Sequence, residues 1–299
     1  MHLSLRDIHK SFGAHQVLKG ISLEAEGGKA FGLLGRNGAG KTTTLRILMD
    51  VFPAEKGEIL IDGKPIPRDK IRFGYLPEER GLYPKKKIEE QLIYFARLQG
   101  MEKKEAAAAV GKWLKRLGMS ELKNQRLDTL SKGNQQKIQL VTALAHDPDI
   151  VILDEPFSGL DPVNARLLKE VVKEEIARGK VLFFSSHLMN YIEEFCDEIA
   201  ILNQGQIVLS GNLYEIRHAY PRNKLVVRSP QAEEIARTME GRLTEADTVL
   251  LTLPDPSDKA ACLQNLAARY DLDEVRVFEP SLNDIFVEYT DTKGEAEEA

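Results

Sequence analysis

The sequence predicts an α/β nucleotide-binding domain followed by a small α+β module, and three observations carry that prediction. Residues 35–43 read GRNGAGKTT between the apolar run AFGLL and the segment TLRILM, a glycine-rich turn where a strand gives way to a helix. Two more apolar runs, IVILD at 150–154 and KVLFFSS at 180–186, flank the helical stretch NARLLKEVVKEEIARG, as in a parallel sheet covered on both faces. Beyond about Arg217 strand-sized and helix-sized segments alternate and the motifs stop.

The elements follow in order. Residues 1–35 alternate apolar and polar (HLSLRDI, GISLEAE, KAFGLLG), which suits short strands feeding a sheet. GEILIDGKPI at 57–66 places Asp62 and Gly63 between β-prone pieces and predicts a hairpin. From Ile88 to about Leu117 the spacing becomes helical, through Leu92, Phe95, Ala96 and Leu98; Trp113 shares a face with Val110, Leu114 and Leu117 and is expected to pack. In LSKGNQQKIQLVTALA at 130–145, Ser131 or Asn134 can cap a helix backed by Ile138, Val141, Leu144 and Ala145. EIAILNQGQIVLSG at 198–211 is hairpin-like. The last segments, from KLVVRS to SLNDIFVEYT, suggest a compact α+β module of ferredoxin-like type. The expected boundaries are 1–216 for the nucleotide-binding domain, with its helical part at about 78–146, then 217–290 for the module. An acidic tail, expected to be disordered, runs over 291–299.

Composition narrows the function. A chain of 299 residues suits one large core domain plus a smaller one, and 29% charged with 42% hydrophobic residues describes a soluble globular protein. Its longest apolar runs are strand-sized, so no bilayer crossing is expected. The N-terminus lacks the layout of a secretory signal, and Cys196 and Cys262 form no metal or redox spacing, so a reducing cytosol is the expected setting. A net charge of −5 opposes an extended basic surface for nucleic acid; the run Lys85 to Lys87 suits a solvated loop.

The chemistry gathers where strands end. Gly35, Gly40, Lys41 and Thr42 satisfy the spacing G-x-x-x-x-G-K-[ST] in the strand-to-helix context it requires. Backbone donors of residues 38–43 would cradle phosphates, Lys41 would reach the β and γ phosphates, and Thr42 would offer its hydroxyl to Mg²⁺. IVILDEP ends a strand in two carboxylates at the sheet edge where such folds bind ligands. Adjacent strand residues point to opposite faces, so the two need different tasks: Asp154 suits Mg²⁺ through its water shell, and Glu155 suits polarising an attacking water. SSH at 185–187 ends the next strand, which puts His187 near the same crevice as a partner for a γ-phosphate or its water.

These residues resemble the nucleotide-binding subunits of ABC (ATP-binding cassette) transporters over residues 1 to about 215. GRNGAGKTT resembles their Walker A motif, LSKGNQQ their signature, IVILDEP their Walker B motif, SGLD at 158–161 their D-loop and His187 their switch histidine. The resemblance implies a P-loop ABC domain, with a RecA-like core, an antiparallel β subdomain and a helical subdomain, plus the small C-terminal α+β domain. It extends the nucleotide contacts over Gly35, Asn37, Gly38, Ala39, Gly40, Lys41, Thr42 and Thr43, and puts Phe12 of KSFG against adenine, although a core phenylalanine would look the same. It also implies a head-to-tail pair of cassettes, identical or not, in which Ser131, Gly133 and Asp161 complete the ATP site of the partner. Glu78 of YLPEERGLYP stands where the family usually has a glutamine for Mg²⁺ and water. That segment, with LSKGNQQ and the C-terminal module, resembles the subgroup of sodium-extruding and related bacterial exporter ATPases.

The resulting expectation is an Mg²⁺-dependent ATPase on the cytoplasmic face of the membrane. It would power transport, in the export direction, through a separate permease that docks on the 76–117 region. The alternative is a soluble ABC-type ATPase acting on nucleic acid or ribosomes; such proteins often carry two cassettes or a long coiled-coil insertion, and neither pattern is found in the sequence. A phosphate-loop kinase leaves the signature and D-loop segments unexplained.

Overall fold

The computed structural model describes residues 1–79, 81–157, 160–186, 189–221 and 223–291. Two compact units result, one of Met1–Leu213 with Glu288–Ala299 and one of Tyr214–Val287.

In the first unit β1 (His2–Phe12) and β2 (His15–Glu26) pair antiparallel, and their alternation buries Leu3, Leu5, Leu18, Ile21 and Leu23. β3 (Ala30–Leu34) is buried at every residue and leads through residues 35–40 into α1 (Lys41–Leu48). β4 (Lys56–Ile61) returns to β1 and turns at Asp62 and Gly63 into β5 (Lys64–Pro65), which closes a four-stranded sheet of order β2-β1-β4-β5.

β6 (Phe73–Leu76) follows, and then the helices α2 (Ile88–Leu98), α3 (Lys103–Arg116) and α4 (Lys132–Leu144). The helical stretch expected from Ile88 to Leu117 is thus divided, and Gly100 at φ 90° marks the division. Val110, Leu114 and Leu117 are buried and Trp113 half-buried beside them, as their shared spacing predicts.

The central sheet adds β7 (Ile150–Asp154), α5 (Pro162–Ala177), β8 (Val181–Ser185), α6 (Met189–Phe195), β9 (Glu198–Asn203) and β10 (Gln206–Asn212). Its order is β10-β9-β3-β8-β7-β6, parallel throughout except at the β10 edge. β3, β7 and β8 are buried along their whole length, which explains why they read as unbroken apolar runs. At the amino-terminal edge of β8 the buried Lys180 is paired with Glu175 at 2.5 Å and Asp147 at 2.7 Å, so this interior charge is fully compensated.

β6 is a strand that the hydrophobic pattern does not announce. It has four residues, one of them Gly74, and its place comes from pairing with β7. A Cβ on Gly74 would lie 2.2 Å from the carbonyl oxygen of Ala143, so the glycine lets α4 pass directly over the strand.

Beyond α7 (Leu213–His218), the second unit contains β11 (Lys224–Arg228), α8 (Ala232–Thr238), β12 (Arg242–Glu245), β13 (Thr248–Thr252), α9 (Lys259–Arg269) and β14 (Glu274–Val277), and α10 (Leu282–Asp291) is the last element among the described residues. The antiparallel order β12-β13-β11-β14 with a β-α-β-β-α-β succession is the ferredoxin-like arrangement. Leu225, Val227, Ile235, Val249, Leu251 and Leu266 form its core. All four residues of β12 are exposed, so no alternation betrays it in sequence. Asp291, expected in the acidic tail, is instead the last residue of α10; residues 292–299 lie outside the described residues.

Substituting Gly74→Ala should destabilise the protein by about 1–3 kcal/mol through overpacking against α4. Urea unfolding should show this as a lower midpoint at an unchanged slope, and an unchanged midpoint would refute the tight β6–α4 contact.

Candidate active site

Parallel pairing brings the predicted residues to one edge. Leu33 of β3 is opposite Ser185 of β8, and Ser185 is opposite Asp154 of β7. The loop after β3, the carboxylates after β7 and the serines after β8 therefore emerge side by side at the carboxyl end of the sheet.

The loop is shaped by close packing. A Cβ on Gly35 would lie 2.5 Å from the carbonyl oxygen of Leu202, so no side chain fits. Gly40, at φ 112°, starts α1 in a left-handed conformation that disfavours any other residue. No side chain caps α1, so its first-turn N–H groups face the loop as donors for an anion. Lys41 Nζ donates to the carbonyl oxygens of Gly35 at 2.6 Å and Arg36 at 3.3 Å. Burial pulls the Lys41 pKa down, opposed by the charges of Glu155, Asp154 and Glu78, which places all three carboxylates around this ammonium. Asn37, Gly38 and Thr42 are exposed, Thr43 is half-buried and Ala39 is buried. Arg36 is ion-paired with Asp291 of α10.

Asp154 is buried, and its carboxylate accepts hydrogen bonds from the Ser185 hydroxyl and, at 3.4 Å, from the Tyr75 hydroxyl. Burial, reinforced by the Asp154 charge, pushes the Tyr75 phenol up to about 12. Tyr75 is therefore a donor at any physiological pH. These neutral hydroxyls leave the carboxylate its charge, a fit for a hard metal ion held through oxygen ligands.

Glu155 departs from the strand. Its φ of +49° is left-handed, a conformation that costs a non-glycine residue about 1–2 kcal/mol. Its N–H donates to the Ser185 carbonyl oxygen at 2.9 Å, and its Oε2 accepts from the Ser186 hydroxyl at 3.0 Å. Behind it Phe157 stacks on Tyr191 at 4.0 Å and on Phe184 at 5.6 Å. The strained turn is thus clamped by two hydrogen bonds and an aromatic wall. His187, Ser158 and Gly159 lie outside the described residues.

The segment at 130–145 resolves its own ambiguity. Ser131 is the cap of α4, accepting from Asn134 N–H at 3.3 Å, and Asn134 lies inside the helix. Gly133 is buried. Gln136 Nε2 reaches the Pro156 carbonyl oxygen at 3.2 Å and ties α4 to the turn after Glu155. Asp161 caps α5 through the N–H groups of Val163 and Asn164, both at 3.0 Å. Phe12 is 51% exposed, with its ring edge-on to Phe52 at 5.5 Å, so it is a surface aromatic and not a core one. Glu78 is exposed, and the next residue, Glu79, accepts through its carbonyl oxygen from the buried Gln139 at 3.2 Å.

Sequence reasoning missed Tyr75, Ser185 and Ser186 as partners of the two carboxylates. The doubled serine before His187 was the available signal; nothing local to Tyr75 pointed to Asp154, since the contact arises from strand order.

Comparison with known proteins now adds to this geometry. A family model described as ABC transporter matches residues 18–158, and one described as ATP-binding protein DrrA1-3-like, C-terminal domain, matches residues 211–290. An uncharacterized ABC transporter ATP-binding protein, YhaQ of Bacillus subtilis (strain 168), is 41% identical over 290 residues, covering 96% of this chain and 97% of the relative. Nod factor export ATP-binding protein I of Paraburkholderia xenovorans (strain LB400) is 36% identical over 208 residues, 68% of each chain. The solved structure of an ATP binding subunit of an ABC transporter superposes with a TM-score of 0.66 at 30% identity, covering 73% of this chain and 92% of that one.

The Tyr75 environment sets a pH dependence. Unfolded phenols titrate near 10, so the stability linked to Tyr75 is intact below that pH and is lost as pH rises toward about 12. The difference in tyrosinate absorbance between the parent and Tyr75→Phe should titrate at about 12; a difference that titrates at the ordinary phenol value would show that Tyr75 is neither buried nor bonded to Asp154.

Proposed function

This chain belongs to the ATP-binding proteins of ABC transporters, and from that premise we propose how its residues use ATP to drive export through a separate permease. The protein hydrolyses ATP to power transport. The single observation that carries the site assignment is the convergence of the Lys41 loop, Asp154 and Glu155 at one sheet edge, with all three charges in mutual range.

In this reading the N–H groups of residues 38–43 and Lys41 bind the phosphates, and adenine stacks on exposed Phe12. Thr42 and Asp154 would hold Mg²⁺, their oxygen donors suiting a hard cation, and Glu78 would stand at its rim. The bound ion supplies neutralisation of charge on the β and γ phosphates. Glu155, oriented by Ser186, accepts a proton from the attacking water, and His187 reads the γ-phosphate.

Ser131, Gly133 and Asp161 serve the partner's nucleotide in a pair of cassettes. What supports this is the capped but solvent-facing start of α4, and Val163, beside Asp161, at 78% exposure. Because the site is complete only when two chains close, nucleotide binding drives closure and hydrolysis releases it.

The permease docks on α2 and the segment before it. Tyr83, Tyr94 and Leu98 are more than half exposed there, and Phe95 stacks on Tyr83 at 6.1 Å and meets Tyr94 edge-on at 5.5 Å. An aromatic patch of this kind is the usual anchor of a protein interface. No helix among the described residues is long and apolar enough to cross a membrane. In this reading the chain works peripherally at the cytoplasmic face, on its permease. The relative named for Nod factor export supports the outward direction.

Glu155→Gln should lower kcat by roughly 10²–10⁴-fold, the usual contribution of a general base. Size-exclusion chromatography with ATP should then show a stable pair crosslinkable between positions 41 and 131 of different copies. A variant that stays monomeric, or keeps full turnover, refutes the assignment. Lys41→Ala should weaken nucleotide binding at least tenfold by titration with a fluorescent ATP analogue, the scale of one lost charge-assisted hydrogen bond; unchanged affinity would remove its phosphate role.

A further inference from the structure

Gly133 sits near the start of α4 without a left-handed φ, so backbone conformation does not explain a glycine there. Within a helix it is a weakness of about 0.5–1 kcal/mol relative to alanine. Space explains it. A Cβ at this position would lie 2.6 Å from Asn164 Nδ2 and 3.5 Å from Asp161 Oδ2. The same Nδ2 donates to Asp161 Oδ2 at 2.5 Å, while Asp161 Oδ1 accepts from the backbone N–H groups of Val163 and Asn164. Half-buried Asn164 thus stands against the signature glycine with one side of its carboxamide and holds the D-loop aspartate with its amide. Hydrogen bonds from Asn164 keep the Asp161 carboxyl below the ordinary carboxylate range, so its acceptor role is firm at neutral pH.

We infer that Asn164 is a positioning residue that fixes the signature loop and the D-loop of one chain to each other, so that Ser131, Gly133 and Asp161 engage the partner's nucleotide as one unit. This rests on the two-cassette reading given above. Ser131 starts α4 and Asp161 starts α5, and two helix ends that approach a ligand independently each lose conformational freedom on closing. The Asn164 link removes one of those losses before the partner arrives. Gln136, one turn along α4, donates to the Pro156 backbone carbonyl and so extends the tie to the backbone of the turn that carries Glu155.

In this reading Asn164 is not among the residues that hold the nucleotide of its own chain, and this separates its role from binding. In the full-length protein, Asn164→Ala should lower kcat about tenfold while KM and the affinity of the monomer for a fluorescent ATP analogue stay within about twofold, the scale of a lost hydrogen bond to a charged group. In a Glu155→Gln background it should weaken ATP-driven pairing by a similar factor, read by analytical ultracentrifugation. Asn164→Asp matches the original shape but turns a donor into a second carboxylate against Asp161, so it should be worse than Asn164→Ala in both assays. A role in packing alone predicts the reverse order, because the isosteric residue would then be tolerated best.

Turnover and pairing within twofold of the parent in folded Asn164→Ala, or Asn164→Asp outperforming Asn164→Ala, would overturn the inference. Should both variants unfold, Asn164→Leu, which fills a similar volume but has no donor, decides by the same comparison: a loss supports the link, and parental behaviour overturns it. Failure of Glu155→Gln itself to pair with ATP would instead count against the two-cassette reading, so the two failures are distinguishable.

Discussion

Parallel hydrogen bonding of β3, β8 and β7 decides where every charged group of this site can be. The pairing of Leu33 with Ser185 and of Ser185 with Asp154 sets the phosphate loop, the serine pair and the two carboxylates at one height. Because side chains alternate along a strand, a slip of one residue in β7 would turn Asp154 into the opposite layer and misfit the shapes packed against both faces. Burial of Ile150, Val151, Ile152 and Leu153 on both faces forbids that slip. The apolar core therefore supplies the precision of the chemistry, and the polar residues inherit it.

The same edge concentrates features that weaken the fold locally. Asp154 and Glu155 are buried carboxylates, Glu155 is left-handed, and Lys41 is an ammonium pulled toward neutrality. Each is held by its neighbours: the Ser185 and Tyr75 hydroxyls for Asp154, Ser186 and the Ser185 carbonyl for Glu155, and the Gly35 carbonyl for Lys41. Strain that the surroundings over-determine in this way is what a preorganised reaction centre requires. Phe157, stacked on Tyr191 and Phe184, shows that part of the restraint is aromatic packing and not hydrogen bonding.

How much of this could be read from the chain depends on whether the cause is local. The phosphate loop was legible because its spacing and its strand-to-helix setting lie within nine consecutive residues. β7 and β8 were legible because burial on both faces leaves unbroken apolar runs, and both hairpins because their turns carry Asp62-Gly63 and Gln204-Gly205. β6 was not, since four residues with a glycine form a strand only once β7 is beside them. β12 had no buried face to set a period. Tyr75 and Asn164 were invisible for a related reason: Tyr75 acquires its task from a partner 79 residues away in sequence, and Asn164 from a helix end brought alongside by packing. Ser131 and Asn134 were equivalent as caps on paper, and only the backbone path into α4 distinguished them.

The bond of 2.6 Å from Lys41 to the Gly35 carbonyl ties the first residue of α1 back to the end of β3, so the side chain spans the turn that its own backbone leaves. A lysine tethered in this way gives up much of its rotamer freedom when the chain folds, and a group that later meets its ammonium has less of that freedom left to remove.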